Sequence, residues 1–502
     1  MRRREILHGY CRGLLLPNER KSMEPIAVRM DPSHARASRE AVQQFITDSN
    51  WDYQALLRGA REYALPLLLR TGPMEAWIID DTAFPKSGSD SVGMARQWCG
   101  TKGKQDNCQD AVSISVANRE TSLPCAFRLY LPESWCKDAA ALKKVGVPES
   151  IQFQTKGVIA EDLILQLRRE GVAPAPVLAD AAYGDKWEFR EFLTSLEMRY
   201  VMAIKPGTTV WAPGTRPLPP KPWCGRGLGP NRLQVDPDHP PKSVADLAMD
   251  LRAGKWKVVP WEEGSRGAMK SRFAALRVRC AHRTEKQMRV PPLQWLLIEW
   301  PEGKPEPTDF WFSTLPASTP IEELVRMAKL RWRIERDYQV LKGQLGLDHF
   351  EGRTWRGFHR HASLSIAAYA FLLAEDARLF LPTIEETLQS VQFDLSRNHP
   401  WSPPPRPRGA PCIDLPGDPA DPDRPGSNHP NGPLSLLRKI LPDRGQGRLA
   451  VNRVRPACDR DPCGTEGADP DLGEALSRWR AIIPERSYSG PAKAANLPLT
   501  EG

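Results

Sequence analysis

The chain has 502 residues, of which 40% are hydrophobic and 26% charged, and its lysines and arginines outnumber its acids by nine. That length exceeds one ordinary core, and that composition excludes a fibrous chain and favours a soluble one with a polyanionic partner. No apolar run reaches the roughly 20 residues of a membrane helix, and the opening MRRREILHGYCRGLLLP is too broken by Gly and Arg for a signal peptide. Ten cysteines without a Cys-x2-Cys pair are expected to be reduced thiols in a cytoplasm. Cys458 and Cys463 near His429 lack zinc spacing.

Residues 1–71 are expected to be helical. Ser38–Ile46 and Asn50–Leu69 carry apolar positions at helical spacing, with Asn50 a predicted N-cap. Ala76–Ile79 then forms a short apolar run that meets two acids, Asp80 and Asp81, as a buried strand does when its end opens into a site. A Gly- and Lys-rich loop over 86–109 precedes a predicted hairpin, Ala111–Ala117 and Cys125–Leu131. An amphipathic helix over Gly157–Glu170 follows. Next come a second buried strand, Ala175–Ala179, ending at Asp180, a helix over Trp187–Leu196 and a strand over Arg199–Ile204. Three antiparallel strands followed by helix–strand units describe a ribonuclease H-like core, a mixed sheet flanked by helices, with its first part over 72–205.

From 206 to 313 prolines and tryptophans accumulate around predicted strands at Lys255–Val259, Arg272–Val278, Gln294–Glu299 and Phe310–Ser313. This is a β-rich insertion. The core resumes over 314–380. Thr319-Pro320-Ile321-Glu322 predicts a capped start to one helix running to about Leu345, and a second apolar helix spans Ala362–Phe380. Beyond 381 the periodicity is lost. This stretch holds 20 of the 49 prolines and is expected to be a mostly disordered tail, with short helices only at Pro433–Leu441 and Asp471–Ile483.

Three acids stand where a metal site needs them: Asp81, Asp180 and Glu335. Hard divalent cations take oxygen ligands, and carboxylates from two adjacent strand ends and a facing helix can converge on a pair of ions. Arg331, Glu335, Tyr338 and Lys342 fall on one helical face, one acid among two bases, so that the acid can meet metal while the bases meet phosphate. The same spacing also suits a surface Arg–Glu pair. Downstream, Arg353, Arg356, His359, Arg360 and His361, with Trp355 and Phe358 interleaved, are candidates to grip a phosphate backbone. Lys86, Arg96, Lys102 and Lys104 are further candidates in the long loop.

The run Arg331-Trp332-Arg333-Ile334-Glu335, with Lys342 seven residues after the Glu, resembles the Tyr-x2-Arg-x3-Glu-x6-Lys signature of bacterial insertion-sequence DDE transposases. WIIDDTAFPKSG and VLADAAYGD resemble the blocks that carry this family's two aspartates, and SVGMARQWCGTKGKQDNCQ and GLDHFEGRTWRGFHRHASL resemble further blocks. The resemblance covers about residues 10–375. It implies a ribonuclease H-like fold with a β insertion, and catalytic, metal-binding acids at Asp81 (Thr82 follows it as in the family, which disfavours Asp80), Asp180 rather than Asp185, and Glu335. It places Arg331 and Lys342 toward phosphate and makes Trp332 a candidate for handling unstacked DNA. It further implies two magnesium ions, for which manganese can substitute. The expected partners are the element's terminal repeats and target DNA, met by a homodimer in a synaptic complex. The expected setting is the cytoplasm, at the nucleoid. The N-terminal helices are the expected reader of the DNA ends. Ala328 stands where the signature has Tyr, which removes a hydroxyl associated with a hairpin step. Two competing expectations are a DNA-binding relic without catalysis and a hydrolytic nuclease on the same fold.

Overall fold

The computed structural model describes residues 3–16, 20–222, 224, 231–264, 267–281 and 289–380. The expectations for the tail after 381, including its two short helices and the Cys458, Cys463 and His429 group, lie outside the described residues. Among the described residues no helix is long and apolar enough to cross a membrane.

Four helices come first: α1 (Arg3–Leu15), α2 (Met23–Met30), α3 (Ala35–Thr47) and α4 (Tyr53–Thr71). The predicted cap on α4 moves by two residues. Asp52, not Asn50, accepts from the Gln54 amide at 2.8 Å, which satisfies one of the donors a helix start leaves free. The chain continues through β1 (Ala76–Pro85), β2 (Ala95–Cys99), β3 (Lys104–Ala117), β4 (Ser122–Leu129), α5 (Glu133–Cys136), α6 (Ala139–Lys144) and α7 (Lys156–Arg169). It then forms β5 (Val177–Ala179), α8 (Ala181–Gly184), α9 (Trp187–Ser195), β6 (Tyr200–Ile204), β7 (Thr209–Trp211), β8 (Lys242–Ser243) and α10 (Val244–Met249). Strands β9 (Lys257–Gly264), β10 (Gly267–Cys280), β11 (Gln294–Trp300) and β12 (Asp309–Ser313) lead to α11 (Ile321–Leu330), α12 (Arg333–Gly343) and α13 (Trp355–Phe380).

One mixed sheet carries this α/β architecture, in the order β2-β3-β1-β5-β6-β12-β11-β10-β7-β8, with β4 on β3 and β9 on β10. β1 runs antiparallel to β3 and parallel to β5, and β5 is parallel to β6. The strands over 206–313, the expected insertion, extend this sheet, because β12 pairs antiparallel with β6 from Phe310–Ile204 to Ser313–Val201. Apolar side chains cover both faces. Trp77 and Ile79 enter a core with α7 and α13, whereas Ala76 and Ile78 face α11 and Ile334 of α12.

Three expectations change here. β1 does not stop at its acids: it runs to Pro85 because β3 pairs with it throughout, while the parallel partner β5 ends at the Ile79–Ala179 pair. Asp80 and Asp81 therefore sit just past the point where one neighbour strand ends. The loop over 86–109 contains a strand of its own, β2, which forms a hairpin with the extended start of β3. The single helix over 319–345 is two helices that meet at Arg331–Trp332, and α11 begins after Pro320 with no side-chain cap from Thr319.

Candidate active site

Alternation along β1 sends Asp80 and Asp81 to opposite faces of the sheet. On one face Asp81 is held at both carboxylate oxygens. Lys156 Nζ, at the start of α7, donates to Oδ2 at 2.8 Å, and the Tyr183 hydroxyl donates to Oδ1. Lys156 also donates to Asp110, on β3, which is only 3% exposed. Burial pushes Asp110 up to about 6, with Lys156 opposing and Asp81 adding to the rise. Burial also opposes the charge on Lys156, but Asp81 and Asp110 beside it hold the ammonium protonated well above its usual range.

On the other face Arg331, at the junction of α11 and α12, bridges two acids. Its guanidinium lies 2.8 Å from Asp80 Oδ2 and 2.7 Å from Glu335 Oε1. Burial pushes Asp80 up to about 7, with Arg331 pulling down and Asp180 and Asp81 pushing up. The Tyr338 hydroxyl donates to the Asp80 carbonyl at 3.1 Å and meets Ser113 Oγ at 2.6 Å. Beneath it, buried Asp337 accepts from Ser115, Ser122 and Tyr369, which pins α12 to β3, β4 and α13.

Asp180 ends β5 and caps α8, its Oδ1 accepting from the Ala182 amide at 2.9 Å. Burial and then the Asp81 charge raise its carboxyl. Gly184 closes that short helix against β6, where a Cβ would collide with the Ala203 carbonyl. This close approach keeps the turn after Asp180 tight.

The structure gathers Asp80 and Asp81, midway along β1, and Asp180, just past the end of β5, within electrostatic reach and ties Glu335 to them through Arg331. It does not bring Asp81, Asp180 and Glu335 round one point. Among the described residues no three His, Cys, Asp or Glu side chains form a metal-ligating group. The physical reason is strand alternation: Asp81 is held by Lys156 and Tyr183 on one face, whereas Glu335 is held by Arg331 on the face of Asp80. The donor set itself suits a hard divalent cation, being carboxylate oxygens whose proximity raises their affinity for positive charge.

The basic face of α12 is more engaged than its spacing implies. Lys342 Nζ donates to the Ala83 carbonyl at 2.7 Å and lies over the Phe84 ring. Trp332 is half-buried and packs against the guanidinium groups of Arg333 and Arg336. Ala328 is buried in the core that α11 forms against the sheet. Of the downstream bases, Arg353 and Arg356 are exposed, the former paired with Asp90 at 3.0 Å.

His359, Arg360 and His361 do not reach solvent and cannot grip a backbone. All three are buried, because α13 is enclosed by the N-terminal helices and β4. His359 accepts from the Leu129 amide at 3.2 Å, His361 meets the Tyr10 hydroxyl at 2.7 Å, and Arg360 donates to carbonyls of Ile46, Thr47 and Trp51. In the former loop, Lys86 donates to the Phe350 carbonyl and Lys102 pairs with Asp106.

Lys156 and Asp110 were not expected. A signal existed: Asp110 opens the run DAVSISV, and an acid inside a fully buried strand needs a cationic or hydrogen-bonding partner.

A family model described as DDE superfamily endonuclease matches residues 1–268, more than half of the chain. The matched stretch includes Asp80, Asp81, Asp110, Lys156 and Asp180, and ends before Glu335. The chain is also 30% identical over 171 residues to a probable transposase for insertion sequence element IS701 from Microchaete diplosiphon, a match covering 34% of this chain and 41% of that relative. The chain thus matches less than half the length of that curated relative.

Proposed function

The chain belongs to the DDE superfamily of endonucleases, and from that premise we propose that it is an insertion-sequence transposase that cleaves element ends and joins them to target DNA by cut and paste. The observation that carries this reading is the gathering of Asp80 and Asp81 on β1 with Asp180 just past the end of the adjacent β5, beneath the helix that bears Glu335. Asp81, Asp180 and Glu335 are the proposed ligands of two magnesium ions, with manganese as a substitute, on a core of ribonuclease H type over 72–205 and 314–380 with the insertion over 206–313 between them. When bound, such ions supply the positive charge that activates the attacking oxygen and stabilises the leaving oxygen of an in-line displacement.

The chain's own residues then have distinct tasks. Tyr183 and Lys156 fix the rotamer of Asp81, so its carboxylate is oriented before anything binds. The Asp80–Arg331 pair holds the start of α12 against β1, and with it Glu335. Arg331 and Lys342, with Trp332 and Tyr338 between them, form the proposed DNA side, continued by exposed Arg353 and Arg356. The helices over 1–71 are the proposed reader of terminal repeats, and synapsis of two ends implies a homodimer.

The test is incubation with labelled DNA bearing the element's own ends, with magnesium or manganese, beside Asp81→Ala, Asp180→Ala and Glu335→Ala. The expected result is metal-dependent 3′-OH formation at the ends, reduced by at least about a thousandfold in each variant, as for loss of a group central to charge stabilisation. Binding of ends without cleavage by the unmodified chain would leave a DNA-binding relic. Cleavage without joining would leave a hydrolytic nuclease.

A further inference from the structure

The β2–β3 hairpin carries the most exposed large apolar side chain among those described, Trp98 at 63%. β2 is the terminal strand of the sheet, paired only on its β3 side. In this register Arg96 faces Asn107 and Trp98 faces Gln105, so these four side chains share one face of the hairpin. All four are exposed, and none is acidic. The hairpin's one acid, Asp106, points to the opposite face, where Lys102 neutralises it at 2.6 Å. Arg96 pairs with no acid among the described residues, and Lys104 adds a further exposed cation beside the turn.

The hairpin is continuous with the candidate site. β3 pairs with β1 from Cys108–Pro85 to Ala117–Ala76, so the ladder that holds Asp80 runs straight into it. Alternation puts Asn107, and hence Arg96 and Trp98, on the sheet face of Asp80 and Phe84, the face over which Tyr338 and Lys342 lie. An exposed indole flanked by a guanidinium and two carboxamides suits a nucleic-acid base: the ring stacks, the guanidinium meets phosphate, and the amides meet base edges. An apolar protein partner would leave that polar set without use.

We propose that this face is a DNA-binding surface on which Trp98 stacks against an unpaired base of the DNA strand that runs from the acids along β3, about 27 Å from Asp80 at ~3.4 Å per residue, with Arg96 on the adjoining phosphate. The proposal rests on the transposase reading and deepens it by naming the strand contact. It also explains why an otherwise unprotected edge strand exposes a Trp and an Arg.

The test uses a forked DNA duplex with 2-aminopurine in one unpaired arm, titrated with the full chain and with Trp98→Ala, Trp98→Phe and Arg96→Ala. Thermal unfolding of each variant serves as the folding control. The expected result is quenching of 2-aminopurine by the unmodified chain and by Trp98→Phe, lost in Trp98→Ala together with a roughly tenfold or greater loss of affinity. Arg96→Ala should lower the slope of log affinity against log salt by about 0.7, the value for one single-strand phosphate contact. Equal affinity and quenching in Trp98→Ala overturns the hairpin proposal while leaving the transposase reading intact. So does a Trp98→Ala change confined to self-association, which would make the face an interface between copies. Failure of the unmodified chain to bind any fork or cut any end overturns the reading and the proposal together.

Discussion

Lys156 decides the electrostatic character of the site at the scale of single residues. Its ammonium satisfies Asp81 and the buried Asp110 together, and removing it leaves Asp110 in a desolvated position with no counter-charge. Breaking a buried pair from one side costs on the order of 3–5 kcal/mol, whereas replacing both members by neutral groups of similar shape costs far less. Lys156→Met is therefore expected to destabilise the fold by about 3 kcal/mol, and Asp110→Asn in the same chain to recover most of that loss. Urea unfolding of the two single variants and the double variant measures this as a coupling energy. Additive losses would show that the Lys156 ammonium and the Asp110 carboxylate do not stabilise each other. A weaker effect is expected at Glu335, which is exposed and whose bond to Arg331 is a four-residue helical pair of small intrinsic worth.

Helix α13 shows what a segment's local sequence conceals at the scale of an element. Read alone, WRGFHRHASL is a basic stretch with aromatic residues, and it invites a DNA-facing assignment. Its partners lie hundreds of residues away: Tyr10 meets His361, and Arg360 closes the ends of α3 and its following loop. No local pattern encodes that α1, α3 and α4 cover the helix on the side that would otherwise meet solvent. The central strands β1, β3, β5 and β6, in contrast, were legible because β-branched and apolar runs bounded by turn residues are a local signal, whereas the exposed β2 and the short β7 and β8 carry no such run. Asp80, Asp81 and Asp180 were legible for the same reason, as acids closing apolar runs. The break at Arg331–Trp332 was not, since both halves keep helical spacing across it.

Burial of the two histidines has a pH consequence. Burial holds His359 and His361 down to about 4, although the hydrogen bonds to the Trp355 and Gly346 carbonyls oppose the drop. In the unfolded chain each titrates near 6.5, so between about 6.5 and 4 the unfolded state binds more protons. Their contribution is therefore complete above about 6.5 and is lost as pH falls toward 4, up to roughly 3 kcal/mol for each ring. Chemical denaturation at pH 7 and pH 5 should show the drop, and His361→Gln should flatten it. An unchanged slope in that variant would assign the acid sensitivity to other groups.

At the scale of the whole molecule, the strands over 206–313, the expected insertion, share one hydrogen-bonded sheet with those over 72–205. β6, a core strand, is flanked by β5 on one side and by β12 on the other, and β12 passes its register on to β11 and β10. Phe310 and Phe312 on β12 lie fully inside, with Arg190 of α9 over the Phe312 ring, so packing crosses the same boundary as the backbone ladder. α11 then returns from the insertion to pack on β9, β6 and β5. The helices over 3–71 are fastened to this body by α4 along α13 and by the buried side chains of α1 against the same helix. A unit whose parts share a sheet and a core has no interface along which one part can unfold and leave the other solvated. Residues 3–380 are therefore expected to unfold in a single transition. Far-UV circular dichroism, which follows the helices over 3–71 together with α7 and α11 to α13, and tryptophan fluorescence, to which Trp211, Trp256, Trp261, Trp295, Trp300 and Trp311 of 206–313 contribute, should report the same midpoint. A fluorescence midpoint several degrees below the dichroism midpoint would mean that β12–β6 pairing yields independently, and that the insertion can move relative to the acids while the core stays folded.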